Sequence, residues 1–207
     1  MKETVTLVSY GTSNINSLAK KIYNNGFGVK IASRPEELDG VSKIIIPGVG
    51  NFSAAMNSLI SSGMDEGLRE KMISEKTPTM GICLGMQLLF EGSEEGSAKE
   101  LCPGLGVVPG VIKRINFNKT VPHIGWKRVS FEKDSILMKG IDPKKRFYFT
   151  HSYFADEDCK FAIGTTVYEK KFTSVIEYEN IYGVQFHPEK SGLTGFEMIK
   201  NFIKKKE

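Results

Sequence analysis

The 207-residue sequence has few cysteines and a single tryptophan. Its three cysteines, Cys83, Cys102 and Cys159, are scattered, and no two of them have the spacing of a zinc site or a redox motif. An odd number of cysteines argues against a disulfide framework, so we expect a reducing, cytoplasmic environment. The sequence also has no apolar run near the roughly 20 residues of a membrane-spanning helix, and we expect no signal peptide.

A strong excess of one charge is also missing. The 28 lysines and arginines against 24 aspartates and glutamates leave a net charge of +4, spread along the chain. The short basic cluster at Lys204–Lys206 is typical of a solvated helix end, so we expect neither nucleic-acid nor membrane binding. The chain has no internal repeat or linker, and its length suits one domain over residues 1–207.

The first 90 residues predict an α/β fold with an open, largely parallel sheet flanked by helices. Apolar, β-rich runs at 4–10, 29–33, 43–47 and 77–82 alternate with segments of helical periodicity. Beyond the polar loop expected at 92–97, short β-rich segments predict a mixed or antiparallel extension, and a closing helix is expected at about 194–204. These later β-segments are 107–112, 121–129, 146–155, 161–168, 172–178 and 181–187.

The most informative stretch is Gly81-Ile82-Cys83-Leu84-Gly85, which joins the run at 77–82 to a helical pattern. This Gly-x-Cys-x-Gly pattern on a strand–turn–helix is the cysteine counterpart of a nucleophile elbow. The turn would expose the Cys83 sulfur, and the N-terminus of the following helix would favour its thiolate form. Taken alone, the pattern equally fits a buried cysteine between two packing glycines.

A second stretch, His187-Pro188-Glu189, follows an apolar strand. In an extended chain His187 and Glu189 project to the same side, and a carboxylate beside an imidazole fixes its tautomer and stabilises the imidazolium. Alone, the tripeptide also fits a strand-end histidine with a surface glutamate. Together with Cys83, however, these residues complete a nucleophile–base–orienter triad.

Such a triad needs donors for an oxyanion. The glycine-rich turn Pro47–Gly50 can supply one donor, at Val49 or Gly50, because glycine allows its peptide to face either way. The N–H of Leu84, directly after the nucleophile, can supply the other. Without the elbow, Pro47–Gly50 would be a plain turn. The predicted chemistry requires no cofactor and no metal ion.

Gly81–Gln87 and Phe186–Glu189 resemble the motifs of the class I, triad-type glutamine amidotransferase family. The resemblance implies that Cys83 attacks the side-chain amide of L-glutamine, and that His187 protonates the leaving ammonia and then activates water. It further implies that Gln87 holds the substrate, and that the backbone around Ser152 and Tyr153 clamps its α-amino and carboxylate groups.

Further stretches, above all Pro122–Trp126 and Phe147–Tyr153, resemble one branch of that family. Its members pass ammonia to a (β/α)8-barrel synthase/cyclase subunit, which makes imidazole glycerol phosphate and aminoimidazole carboxamide ribotide in histidine biosynthesis. The resemblance implies a heterodimer whose interface includes Asn14, Pro122, His123 and Trp126. Two of these interface residues also have an interpretation that needs no partner. Trp126 would be a core residue, and His123, like His151, would be a hydrogen-bonded structural residue.

On the side of the expected interface, three residues differ from those that many members of that branch carry. They are Ser9, Ser13 and Lys127. A paralogous branch that supplies ammonia for amidating surface-polysaccharide sugars is therefore an alternative. A non-catalytic scaffold or regulatory subunit is a second alternative, against which the intact Cys83, His187 and Glu189 argue. A cysteine peptidase is a third, which the presence of Gln87 disfavours.

Overall fold

The structure is a computed structural model that describes residues 2–11, 15–96, 100–116, 120–156 and 158–205. Within these ranges the chain forms fourteen strands and five α-helices. The strands are β1 (Thr4–Val8), β2 (Gly28–Ala32), β3 (Ile44–Ile46), β4 (Thr79–Ile82), β5 (Phe90–Ser93), β6 (Cys102–Pro103), β7 (Val108–Arg114), β8 (His123–Arg128), β9 (Ser130–Phe131), β10 (Arg146–His151), β11 (Tyr153–Ala155), β12 (Ala162–Val167), β13 (Lys171–Tyr178) and β14 (Ile181–Val184). The helices are α1 (Ile15–Asn24), α2 (Phe52–Ser61), α3 (Met64–Arg69), α4 (Leu84–Leu88) and α5 (Gly192–Ile203).

The first half of the described chain forms the predicted parallel sheet, in the order β2-β1-β3-β4, and β14 pairs parallel with β4. The central strands are buried throughout, as expected for a sheet covered on both faces. Because parallel strands all point the same way, the segments after β3, β4 and β14 meet at one edge of the sheet.

Alternate residues of the strands supply two separate cores. Val5 and Leu7 of β1 pack in a cluster with α1 and α5. Val8, with Ile44 and Ile46 of β3, packs on the opposite face with α2, α3 and α4. The period-two alternation of the strands thus places helices on both faces, as predicted.

The later strands form the predicted extension. β13 pairs antiparallel with β14, β12 and β11, and β11 continues the sheet through β7, β5 and β6. The strands β8 and β10 form a separate antiparallel pair in which His123 lies opposite His151. The predicted strand over 146–155 is therefore two strands, because β10 and β11 belong to different sheets on either side of Ser152.

Strand pairing explains two of the boundaries that differ from the prediction. The loop expected at 92–97 starts later, because Phe90–Ser93 forms β5 and pairs with the distant β7 and β6. The strand expected to reach His187 ends at Val184, because its partner β4 ends at the elbow. Beyond it the backbone N–H of Gln185 donates to the Ser174 carbonyl, and that of His187 to the Tyr148 carbonyl, each at 2.9 Å.

None of the helices within the described ranges is long and apolar enough to cross a membrane.

Candidate active site

Cys83 lies at a sharp turn between β4 and α4. Its backbone has φ +52° and ψ −109°, a conformation that non-glycine residues rarely adopt, and its N–H donates to the Val184 carbonyl at 2.8 Å. A Cβ on Gly81 would lie 2.6 Å from backbone atoms of Gly85, and a Cβ on Gly85 would lie 1.8 Å from the Ile46 carbonyl oxygen. Both glycines of the motif are therefore required by close backbone packing.

The helix after the elbow is short. α4 has five residues before the chain enters β5. A macrodipole is the sum of aligned peptide dipoles, so the predicted contribution of this helix to a thiolate is small.

His187 and Glu189 are in contact, but Pro188–Lys190 forms a 3₁₀ turn and not the extended chain that we expected. His187 Nδ1 lies 2.8 Å from Glu189 Oε1, and the imidazole is 1% exposed. Lys21 of α1 donates to the Glu189 carbonyl at 2.6 Å. Ser191 Oγ donates to the His187 carbonyl at 2.6 Å. These contacts fix the turn that carries both side chains, and so fix the ring's orientation.

The protonation of His187 follows from its neighbours. Burial disfavours the imidazolium, but the neighbouring Cys83 sulfur and the Glu189 carboxylate outweigh it and raise the pKa of His187 to about 10. Its buried Nε2 has no hydrogen-bond partner of standard geometry among the residues that the structure describes. The arrangement is thus suited to a thiolate–imidazolium pair with a proton available at Nε2.

The turn at 47–50 packs directly on the elbow. Tyr10 donates its hydroxyl to the Pro47 carbonyl at 2.6 Å, and a Cβ on Gly48 would lie 2.9 Å from both Gly85 N and Leu84 Cβ. Leu84 opens α4, so its N–H has no acceptor within the helix. Val49 and Gly50 are exposed beside it.

A cavity of about 230 Å³ collects most of the predicted residues. It is lined by eight of them, from four separate segments: Val49, Gly50, Cys83, Leu84, Gln87, Pro122, Ser152 and Tyr153. His187 and Glu189 instead line a neighbouring cavity of about 200 Å³, and Val49 lines both. The turn at 47–50 thus lies between the sulfur's cavity and the cavity of the histidine–glutamate pair.

Three residues lining the 230 Å³ cavity were not predicted as site residues: Glu95, Thr150 and His151. Glu95 also accepts the Phe52 backbone N–H at 2.9 Å, which fixes its carboxylate at the start of α2. The sequence around Glu95 gives no periodicity that would single it out. Only the pairing of β5 with β7 and β6 brings it to the cavity.

The predicted interface residues differ in exposure. Trp126 is 49% exposed and packs edge-on against Tyr148, so the interpretation of it as core is wrong. Pro122 is exposed at the cavity wall. His123 is fully buried, so its side chain cannot touch a partner directly. Asn14 lies outside the described residues.

His123 and His151 form a buried hydrogen-bonded pair. His151 Nδ1 donates to the Tyr153 carbonyl at 2.8 Å, and His151 Nε2 lies 3.0 Å from His123 Nδ1. Burial, the nearby His123 and the nearby His187 lower the pKa of His151 to about 3, so its ring is neutral. The one proton of that ring is on Nδ1, and His123 Nδ1 must therefore donate to Nε2.

Residues 6–206 match the family described as glutamine amidotransferase class-I. The chain belongs to this family. It is 41% identical over 204 residues to the imidazole glycerol phosphate synthase subunit HisH of Leptospira borgpetersenii, covering 96% of this chain and 98% of that protein. It is also 41% identical over 206 residues to the HisH subunit of Methanocaldococcus jannaschii, with 96% and 98% coverage.

Solved structures agree on the fold of this amidotransferase. PurLQS from Thermotoga maritima superposes with a TM-score of 0.71 at 18% identity, covering 98% of each chain. A glutamine amidotransferase from Thermotoga maritima superposes with a TM-score of 0.64 at 19% identity, covering 99% of this chain and 82% of that one. The mixed α/β fold predicted from the sequence is confirmed.

The raised pKa of His187 in this amidotransferase gives a testable prediction. With a pKa of about 10 instead of 6.5, His187 stays protonated as the pH rises through 7 to 9. Cys83→Ala removes the sulfur that helps to raise it, so the pKa of His187 should fall. Imidazole NMR resonances, with only three histidines to assign, measure both titrations.

Cys159→Ala is the matched control, since it removes a thiol outside the site and should leave the titration of His187 unchanged. His151 should remain neutral throughout. A native His187 that titrates near 6.5, or one with the same titration in Cys83→Ala, would contradict the assigned ion pair.

Proposed function

We propose that this amidotransferase hydrolyses L-glutamine to glutamate and ammonia through Cys83, His187 and Glu189. The observation that carries the proposal is the position of Cys83, which lies at a cavity wall, interacts with His187 of the histidine–glutamate pair and directly precedes the first N–H of α4. A general base held by a carboxylate next to a strained nucleophile is the arrangement that acyl transfer needs.

In the first half-reaction the Cys83 thiolate forms a bond to the γ-carbonyl carbon. The carbonyl electrons move to oxygen, where the N–H of Leu84 and an N–H of the turn at Val49 or Gly50 stabilise the oxyanion. The proton on His187 Nε2 passes to the amide nitrogen as the C–N bond breaks, and ammonia leaves. In the second half-reaction His187 takes a proton from water, whose oxygen displaces the sulfur and releases glutamate.

The cavity has groups that complement glutamine. Glu95 supplies a carboxylate for the α-ammonium group, and the Ser152–Tyr153 corner lines the same cavity. Gln87 donates its amide group to the Tyr153 carbonyl at 2.9 Å and to Gln185 Oε1 at 3.0 Å. Both amide hydrogens are thereby used, so Gln87 offers a ligand its carbonyl oxygen, an acceptor suited to a substrate N–H.

We further infer that the ammonia passes to a partner subunit, in the cytoplasm. The relatives described above carry the name of a synthase subunit. The exposed face of the β8–β10 pair supports a partner here, because Ile124 is 60% and Trp126 49% exposed and Thr150 of the same face lines the cavity. A (β/α)8-barrel synthase/cyclase that docks on this face would cover the cavity mouth.

We propose imidazole glycerol phosphate and aminoimidazole carboxamide ribotide as the products of that partner, in histidine biosynthesis. The test is affinity capture of the partner, followed by ammonia transfer to the histidine-pathway ribonucleotide. Turnover is expected, with faster glutamine hydrolysis in the complex than in the isolated chain. Complex formation without turnover of that acceptor would favour the amidation of surface-polysaccharide sugars instead, and no glutamine hydrolysis in the complex would favour a scaffold.

The docking face gives a prediction of its own. Trp126→Ala should weaken partner binding by about 2 kcal/mol, roughly 30-fold, if this exposed indole is an interface anchor. Ile73→Ala is a matched control, since Ile73 is 53% exposed and precedes β4, at the opposite sheet edge. Calorimetric titration measures both affinities. Equal affinities for the two variants would place the partner elsewhere.

A further inference from the structure

A buried glutamine lies between the predicted nucleophile and the predicted substrate-binding residue. Gln185 has no exposed surface. Its Nε2 donates to Cys83 Sγ at 3.7 Å, and its Oε1 accepts from Gln87 Nε2 at 3.0 Å. The side chain therefore connects the sulfur to the group that we propose contacts the substrate.

The orientation of Gln185 is fixed by its neighbours. The Tyr153 carbonyl can only accept, and it receives hydrogen bonds from Gln87 Nε2 and from His151 Nδ1. Gln87 must therefore present its amide nitrogen, and Gln185 must present its oxygen to Gln87. The only orientation left for Gln185 directs its NH₂ group at the sulfur.

The backbone holds Gln185 in place as well. Its N–H donates to the Ser174 carbonyl at 2.9 Å, just beyond the end of β14. Gln185 and His187 are two residues apart, and both act on Cys83, the first by a hydrogen bond and the second by its charge. A single stretch of chain thus carries two groups that favour the thiolate.

One contact of the Cys83 sulfur favours the protonated thiol and not the thiolate. Cys83 Sγ donates to the Thr150 carbonyl at 3.8 Å, a contact that only the thiol can make. The Gln185 N–H gains strength when the sulfur becomes an anion, since hydrogen bonds to charged groups are stronger. The other titratable groups around the sulfur are His187 with Glu189, the neutral His151, and, in the same cavity, Glu95 and Tyr153.

We propose that Gln185 is a positioning residue of this reaction: it keeps a hydrogen-bond donor on the Cys83 thiolate, and it accepts the second hydrogen of the Gln87 amide, so that Gln87 offers the substrate only its oxygen, an acceptor. This inference rests on the proposed function for the identity of the substrate. It implies that the cavity selects a ligand with an N–H group, such as a carboxamide, over a carboxylate, because Gln87, with both amide hydrogens used, cannot donate to a carboxylate oxygen.

The first test does not depend on glutamine. The rate of Cys83 alkylation by iodoacetamide against pH reports the thiolate, and Cys102 and Cys159 in the same chain are internal references. Gln185→Met keeps the volume but removes the donor, and should raise the midpoint of the Cys83 profile by about one pH unit. Gln185→Glu places a carboxylate beside the sulfur and should raise it further. Neither variant should alter the profiles of the reference thiols.

The second test measures selectivity. In Gln185→Met the Tyr153 carbonyl still accepts one hydrogen of the Gln87 amide, but the second hydrogen loses its acceptor and can bind a carboxylate, so competitive inhibition by glutamate should strengthen relative to the KM for glutamine. Gln185→Glu retains an acceptor towards Gln87 and should keep the native ratio. If Gln185 had only a structural role, both variants would have a lower melting temperature, and the ratio of glutamate inhibition to the KM for glutamine would not differ between them.

The outcomes of these two tests distinguish a failure of this inference from a failure of the proposed function. Cys83 midpoints equal to native in both variants, with glutamine hydrolysis intact, would overturn the role of Gln185 and leave the proposed function standing. Shifted midpoints in a protein that does not hydrolyse glutamine would support the donor role and contradict the proposed function. If Gln185→Met does not fold, Gln185→Glu, which matches the native size and keeps the acceptor, still tests the contact with the sulfur, because an unchanged Cys83 midpoint in that variant would overturn the role of Gln185.

Discussion

Cys83→Ala is expected to abolish glutamine hydrolysis while the protein remains folded. Removing the nucleophile of a triad that acts as a unit typically costs about 10⁴- to 10⁶-fold in rate. The side chain is small and 5% exposed, so its deletion removes one sulfur atom from the cavity wall and leaves the helices and strands of the core intact. Ammonia release and thermal unfolding, measured together, separate the loss of chemistry from a loss of structure.

Cys102→Ala and Cys159→Ala are the controls for that result, because both thiols are free and neither lines the cavity. Both variants should hydrolyse glutamine at the native rate. Undiminished ammonia release from Cys83→Ala would show that Cys83 is not the nucleophile.

Gly85→Ala is expected to reduce both stability and activity. The added Cβ would lie 1.8 Å from the Ile46 carbonyl oxygen, and it would meet backbone, which cannot turn aside as a flexible side chain can. Overpacking of this kind costs about 3 kcal/mol or more, which corresponds to a fall in melting temperature on the order of 10 °C for a chain of this size.

Activity should fall for a related reason. Gly85 lies where the elbow meets the turn at 47–50, since a Cβ on Gly48 would approach Gly85 N at 2.9 Å. Separating these two segments moves the oxyanion donors apart. Gly67→Ala is the matched control: Gly67 lies inside α3, and its Cβ would meet Pro35 side-chain and backbone atoms at 3.3 Å and beyond. The free energy of unfolding of that variant should stay within about 1 kcal/mol of the native value. A Gly85→Ala protein with native melting temperature and activity would contradict the packing argument.

Local sequence patterns predicted the parts of the molecule that local physics determines. The β-branched run Ile44–Ile46 is buried on both sides and therefore reads as an interior strand of a parallel sheet. The pairing of His187 with Glu189 needs only the two-residue spacing and a turn at Pro188. The glycines at 81 and 85 follow from the geometry of a sharp strand–helix turn.

The missed features depend on contacts between distant segments. β5 contains a glycine and is stabilised by β7 and β6, so its own sequence resembles a loop. The pairing of His123 with His151 follows from the register of β8 and β10, which no local period specifies. Gln185 and Glu95 gain their partners only when segments far apart in the sequence meet. The exposure of Trp126 likewise depends on what covers β8.

The measurement that tests the central claim most directly is covalent labelling by a glutamine analogue that carries an electrophilic chloroketone in place of the carboxamide. Mass spectrometry should find one label per chain, on Cys83, with labelling suppressed by L-glutamine and much less by L-glutamate. Labelling that falls on Cys102 or Cys159 instead, or labelling of Cys83 that L-glutamine does not suppress, would contradict a glutamine-specific nucleophile at the elbow.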